Sequence, residues 1–170
     1  ISDGVVTVIG NDIYNNGSNT AYAGAGLSIM GTWDLTANII ANHIHDNYHY
    51  YAFSRGGGVY VDTAEDGLVS LIDNLIENNR VGSSSGNPGF GGGIIINGDS
   101  VILSRNRIQN NTAVGWIDPL GNYLGGQGGG ILINGDALLM NNIISNNHAT
   151  FSGSGLCITG SAPELYHNTI

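Results

Sequence analysis

The sequence predicts an all-β fold, a right-handed parallel β-helix solenoid with about six turns and three short strands in each. Three observations carry that prediction. A glycine cluster followed by an apolar triplet recurs, as in Gly91-Gly92-Gly93-Ile94-Ile95-Ile96 and Gly128-Gly129-Gly130-Ile131-Leu132-Ile133. An Asn-x-Ile segment recurs at Asn11, Asn42, Asn74, Asn106, Asn142 and Asn168, in steps of 31, 32, 32, 36 and 26 residues. A second Asn, five residues beyond its anchor, recurs at Asn16, Asn47, Asn79, Asn111 and Asn147. A unit of this length cannot bury its apolar face alone and must stack on copies of itself.

Each part of the repeat has a physical reading. The strand before the anchor alternates, with Val6 and Val8, Ala37 and Ile39, Val69 and Leu71, Val101 and Leu103, and Ala137 and Leu139 turned inward, and Leu165 in the last turn. The Asn-x-Ile segment is itself a short strand, with Ile13, Ile44, Ile76, Ile108, Ile144 and Ile170 two residues after each anchor. An Asn at one place in every turn suits a stacked amide ladder, because the side-chain amide both donates and accepts. Asn also tolerates left-handed backbone at a corner, which accounts for part of the pattern. The triplets after Gly24, Gly56, Gly91, Gly128 and Gly153 set their first and third members inward. Their middle members, Ser28, Tyr60, Ile95, Leu132 and Cys157, then point outward and are too apolar for a bare solvated face. Something is expected to cover them.

Composition excludes several partners. The net charge is −9, with four basic side chains, all Arg, so phosphate backbones and anionic membranes are poor partners and nucleic acid is excluded. One cysteine, Cys157, cannot close an internal disulfide. No apolar run is long enough to span a bilayer as a helix, so no membrane insertion is expected. The chain opens inside a repeat and stops inside an Asn-x-Ile segment, so residues 1–170 are expected to be one β-helix domain from a longer array without end caps, with self-association end to end a further expectation.

Phrases such as Gly56-Gly57-Gly58-Val59-Tyr60-Val61 with Asn74-Leu75-Ile76-Glu77-Asn78-Asn79 resemble right-handed parallel β-helix repeats of the pectate-lyase-like superfamily. They are similar above all to the polymorphic outer-membrane-protein-like repeats of bacterial surface proteins. The resemblance covers the whole chain. It implies a secreted or surface-displayed bacterial protein, and it leaves the activity open, since the superfamily holds polysaccharide lyases, glycoside hydrolases, epimerases and non-catalytic adhesins. No catalytic residue is carried over from it.

Three groups of residues are candidates for function. The segments between the Asn pair and the next glycine cluster leave the coil at one corner and carry Tyr22, Tyr48, Tyr50, Tyr51, Phe53, Phe90, Trp116, Tyr123 and Phe151. Aromatic faces there suit glycan or protein, or alternatively fold back over Tyr60, Ile95 and Leu132 as a second small core. An acidic column, Asp3, Asp34, Asp66, Asp99 and Asp136, densest where Asp62 and Glu65 join Asp66, would take Ca²⁺ as a cofactor, or else form ordinary turns. Around the anchors His43, His45, Asp73, Glu77, Arg105, Arg107 and Gln109 fall on successive turns. A lyase or hydrolase on this fold would draw on Asp73, Glu77, Arg105, His43 and His45. Asp73 to Arg105 and Glu77 to Arg107 instead read as a surface ion-pair ladder, and His43 with His45 lacks a third ligand for a transition metal. The leading expectation is a non-enzymatic extracellular scaffold or adhesin segment with an aromatic loop side.

Overall fold

A computed structural model of the chain describes residues 4–18, 24–31, 34–51, 53–63, 67–83, 86–160 and 162–170. Asp3, Tyr22, Glu65 and Asp66, named above, lie outside the described residues. The described chain is all strand and turn, with no helix, and its parallel sheets stack into a β-solenoid. The first sheet has six strands, Gly4–Ile9, Leu35–Ile40, Leu68–Ile72, Val101–Ser104, Ala137–Met140 and Glu164–Tyr166. The second holds the Asn-x-Ile strands, Asp12–Tyr14, His43–His45, Leu75–Glu77, Arg107–Gln109 and Ile143–Ser145. The sheet of the triplets runs from Leu27–Gly31 through Val59–Thr63, Ile94–Ile96 and Ile131–Ile133 to Leu156–Ile158. Between its first and last strands the coil closes about four turns, fewer than six, because the outermost anchors mark partial circuits.

A further sheet was not expected. It stacks Gly17–Ser18, Tyr48–His49, Arg80–Val81, Thr112–Ala113 and His148–Ala149, the two residues directly after the second Asn. Among the described residues each turn therefore has at least four strands where three were expected, and the insertions start two residues later than the sequence suggests. After them the coil is rejoined by a minor ladder, Ser54–Arg55 on Gly89–Phe90, continued by Gln127 and Ser152.

Two corners repeat with one construction. The residue before each laddered Asn is left-handed: Gly10, Ala41, Asp73, Arg105, Asn141 and His167 at the first corner, and Asn15, Asp46, Asn78, Asn110 and Asn146 at the second. The laddered Asn itself is not, so the members of each Asn-Asn pair divide the work. A left-handed non-glycine residue costs about 1–2 kcal/mol, less for Asn and Asp, and the ladder offsets it. Asn74 shows how: its backbone N–H and Nδ2 both donate to Asn106 Oδ1, at 3.0 and 2.9 Å, while Nδ2 also donates back to Ile39 O at 2.8 Å. The same three bonds recur from Asn42 to Asn142, and at the second corner Asn79 and Asn111 repeat them.

The interior is filled by the alternation that the sequence predicts. Ile39, Ile44, Leu71, Ile76, Val59, Val61, Ile94, Ile96, Leu103, Ile108, Ile131 and Ile133 form one apolar column of stacked like residues. The last glycine of the first four clusters, Gly26, Gly58, Gly93 and Gly130, presses on the second amide ladder: a Cβ at Gly93 would lie 2.9 Å from Asn111 Nδ2. No larger residue fits there without moving the ladder.

Candidate functional site

The outward side of the triplet sheet is covered. Tyr60, Ile95 and Leu132 are 3, 1 and 2% exposed and form a second apolar cluster, with Phe90 and Cys157 packed against it. The cover comes from the insertions, whose rejoining strands run beside the triplets. Burial raises the Tyr60 hydroxyl pKa, helped by its 2.6 Å hydrogen bond to Asp62. Asn97 donates to Tyr60 Oη at 3.4 Å and accepts from Asn134 Nδ2 at 2.7 Å, so a short polar ladder borders the cluster. Phe90 thus belongs to a second core, as the alternative reading has it.

The other predicted aromatics divide into separate places. Tyr48, Tyr50, Tyr51 and Phe53 are exposed, and the rings of Tyr48 and Tyr50 stack at 5.1 Å. Tyr123 meets Phe151 edge to face at 4.9 Å. Trp116 lies in an antiparallel hairpin, Gly115–Ile117 with Tyr123–Gly125, the one departure from parallel pairing among the named strands described. A recess of about 200 Å³ beside this loop side is lined by Arg55, Phe90, Ile95, Gln127, Leu132, Asn134 and Thr159. It is smaller than the roughly 300–1,000 Å³ usual for ligand clefts.

The described members of the acidic column form no cluster of converging ligand atoms. Asp34 is exposed on left-handed backbone, Asp62 accepts from Tyr60, and Asp99 Oδ1 accepts from the Asp136 amide at 3.1 Å. Asp99 therefore bonds across to the next coil. Among the described residues, the one group of three or more His, Cys or acid side chains with converging ligand atoms is elsewhere.

That group sits on the outward side of the second sheet. Strand alternation puts the residues flanking each Ile outward, and the register stacks Asp12 on His43 and Leu75, and Tyr14 on His45 and Glu77. His45 Nε2 lies 2.8 Å from Asp12 Oδ1, and His43 Nδ1 lies 3.6 Å from the same oxygen. Each far ring nitrogen is held by another carboxylate, His45 Nδ1 by Asp46 at 2.6 Å and His43 Nε2 by Glu77 at 2.9 Å. The two imidazoles stack at 3.9 Å, and the Tyr14 ring stacks on His45 at 5.1 Å. The hydrogen bond to Asp46 raises the pKa of His45 against its partial burial, and Asp12 adds to the rise.

The remaining candidates pair among themselves. Arg105 donates through Nε and Nη2 to both oxygens of Asp73, each at 2.8 Å, and this bond holds the Asp73 carboxyl below its ordinary pKa. Both partners stand on left-handed corner backbone and are about half exposed, 46% for Asp73 and 56% for Arg105. Glu77 does not pair with Arg107 as expected. Gln109 comes between them, donating to Glu77 Oε2 and accepting from Arg107 Nε, each at 2.6 Å. The Gln109 bond, then His43, lowers the Glu77 pKa against partial burial. Asp73 and Glu77 thus serve separate networks and do not face one another across a groove. Asp12 was missed because it occupies the variable position of an Asn-x-Ile segment. Aligning those positions down the turns, Asp12, His43, Leu75, Arg107 and Ile143, is the signal that finds it.

No family model, no curated protein and no solved structure matches this chain.

Proposed function

We propose that this chain is a non-catalytic scaffold segment of a secreted or surface-displayed bacterial protein, with its exposed Tyr48, Tyr50, Tyr51 and Phe53 side meeting glycan or another protein. One observation carries the reading: the groups that a lyase or hydrolase would need are engaged with one another, Asp73 with Arg105 and Glu77 with Gln109 and His43. Two catalytic carboxylates must face one bond at controlled separation, and a lyase base must be free to take a proton. Continuous amide ladders and short bonded corners suit a rod that resists local opening, and so proteolysis, outside a cell. The resemblance to bacterial surface repeats supports the location.

The test is incubation of the chain with a panel of neutral and acidic polysaccharides, with and without Ca²⁺, followed by reducing-end and unsaturated-product assays. No product is expected from any of them. Product formation lost in Asp73→Ala or Arg105→Ala would overturn the proposal in favour of a polysaccharide lyase or glycoside hydrolase. For the contact surface, retention on immobilised glycans is expected to weaken severalfold in Tyr50→Ala, and an unchanged profile would remove this side from the account.

A further inference from the structure

We propose that Asp12, His43 and His45 bind one divalent transition-metal ion, of which Zn²⁺ is the natural example, through Asp12 Oδ1, His43 Nδ1 and His45 Nε2. The three side chains offer ligand atoms that all lie within 4.8 Å of one another. Two ligands of a tetrahedral zinc ion, each about 2.0–2.1 Å from it, stand roughly 3.3 Å apart. The contacts of 2.8 and 3.6 Å to Asp12 bracket that spacing, so side-chain rotation without backbone movement forms the site. Two imidazoles and one carboxylate suit zinc and its neighbours, while Ca²⁺ and Mg²⁺ favour all-oxygen sets.

A second feature separates this group from a chance ion pair. Metal-bound histidines hand their other nitrogen to a carboxylate, which fixes the ring and the tautomer. Both rings here do so, His43 to Glu77 and His45 to Asp46, and Glu77 is itself oriented by Gln109. Three carboxylates, Asp12, Asp46 and Glu77, surround the pair, and the guanidinium of Arg107 is turned to Gln109. Asp12 is 60% exposed and the His45 side chain 17%, so an ion enters from solvent and keeps a water as fourth ligand.

The ligands come from two adjacent turns, Asp12 from one and both histidines from the next. Metal binding therefore fastens the two turns together and favours the folded state by mass action.

Calorimetric titration of the whole 170-residue chain with Zn²⁺ alone tests this. One ion per chain is expected, with affinity at least tenfold lower in His45→Ala and in Asp12→Asn. His148→Ala, on a distant turn, is expected to bind as the parent does. Glu77→Gln is expected to keep one site and weaken it about 10- to 100-fold. Co²⁺ added to the parent chain should give the intense visible absorption of a four- or five-coordinate site, a readout that needs no variant. Absence of saturable Zn²⁺ binding would overturn the proposal, as would parent-like affinity in the His43→Ala/His45→Ala double variant with its circular dichroism unchanged.

Discussion

Two lanes run along this solenoid a few residues apart, and they follow opposite rules. Inside the corners the Asn ladders are buried, uncharged and the same at every level, from Asn42 to Asn142 and from Asn47 to Asn111. Outside, on the second sheet, the lane changes residue at each level, from Asp12 to His43 to Leu75 to Arg107 to Ile143. The cause is solvation. A buried amide has only its stacked neighbours to bond, so one odd residue leaves groups unsatisfied above and below it. An exposed position bonds water at no such cost and is free to carry chemistry of its own. The repeat is therefore strict where it holds the fold and varied where it faces solvent.

The sharpest break in that contrast is Asn111→Ala. It removes the acceptor of Asn79 N and Nδ2 and the donor to Ile76 O, all buried. Leaving such groups unpaired costs about 1–3 kcal/mol each, so urea denaturation should show a loss of about 3–5 kcal/mol. A loss under 1 kcal/mol would mean that the ladder follows from the stacking and does not hold it.

Next comes an outward position that behaves as an inner one. Ile95 lies on the outer side of its sheet yet is 1% exposed under the insertions. Ile95→Ala should cost about 2–4 kcal/mol, comparable to truncation of Ile96, which faces the main core. A surface-like effect, within about 0.5 kcal/mol, would show that the insertions rest only loosely on the sheet.

A smaller effect separates adjacent residues of one Asn pair. Asn110 is exposed and left-handed at φ 56°, while Asn111 is the ladder member. Asn110→Ala should cost about 1 kcal/mol through backbone strain alone, and Asn110→Gly should recover most of it. Equal losses at 110 and 111 would defeat this division of labour.

The same contrast explains what the sequence made legible. Strict positions announce themselves by repetition, so the parallel solenoid, the inward Ile columns and both Asn ladders were readable, as was the apolar outer column that demanded a cover. The two-residue strands such as Arg80–Val81 were not, because two residues show no alternation, although Val81, Ala113 and Ala149 recur at one buried place. The Asp12, His43 and His45 group was hidden for the opposite reason. It occurs once, across two turns, and only the register of stacking brings Asp12 to the histidines. Glu77 was assigned to Arg107 by charge alone, whereas Gln109, two residues along the same strand from Arg107, reaches both.

The smallest effect belongs to the varied lane and is the most diagnostic. Asp73→Asn keeps a residue type that accepts left-handed backbone and removes only the charge facing Arg105. The Asp73 pKa is lowered in the folded chain by that guanidinium. Its stabilising contribution is therefore present above the ordinary Asp pKa, near 3.9, and is lost as the pH falls through the lower folded value. Parent and variant should differ slightly in denaturation midpoint at neutral pH and low salt, and the difference should close at acid pH. It should also close in about 1 M salt, where the screening length falls to roughly 3 Å. A difference that persists in both conditions would place the role of Asp73 in the corner backbone and make the bond to Arg105 incidental, returning this position to the strict half of the repeat.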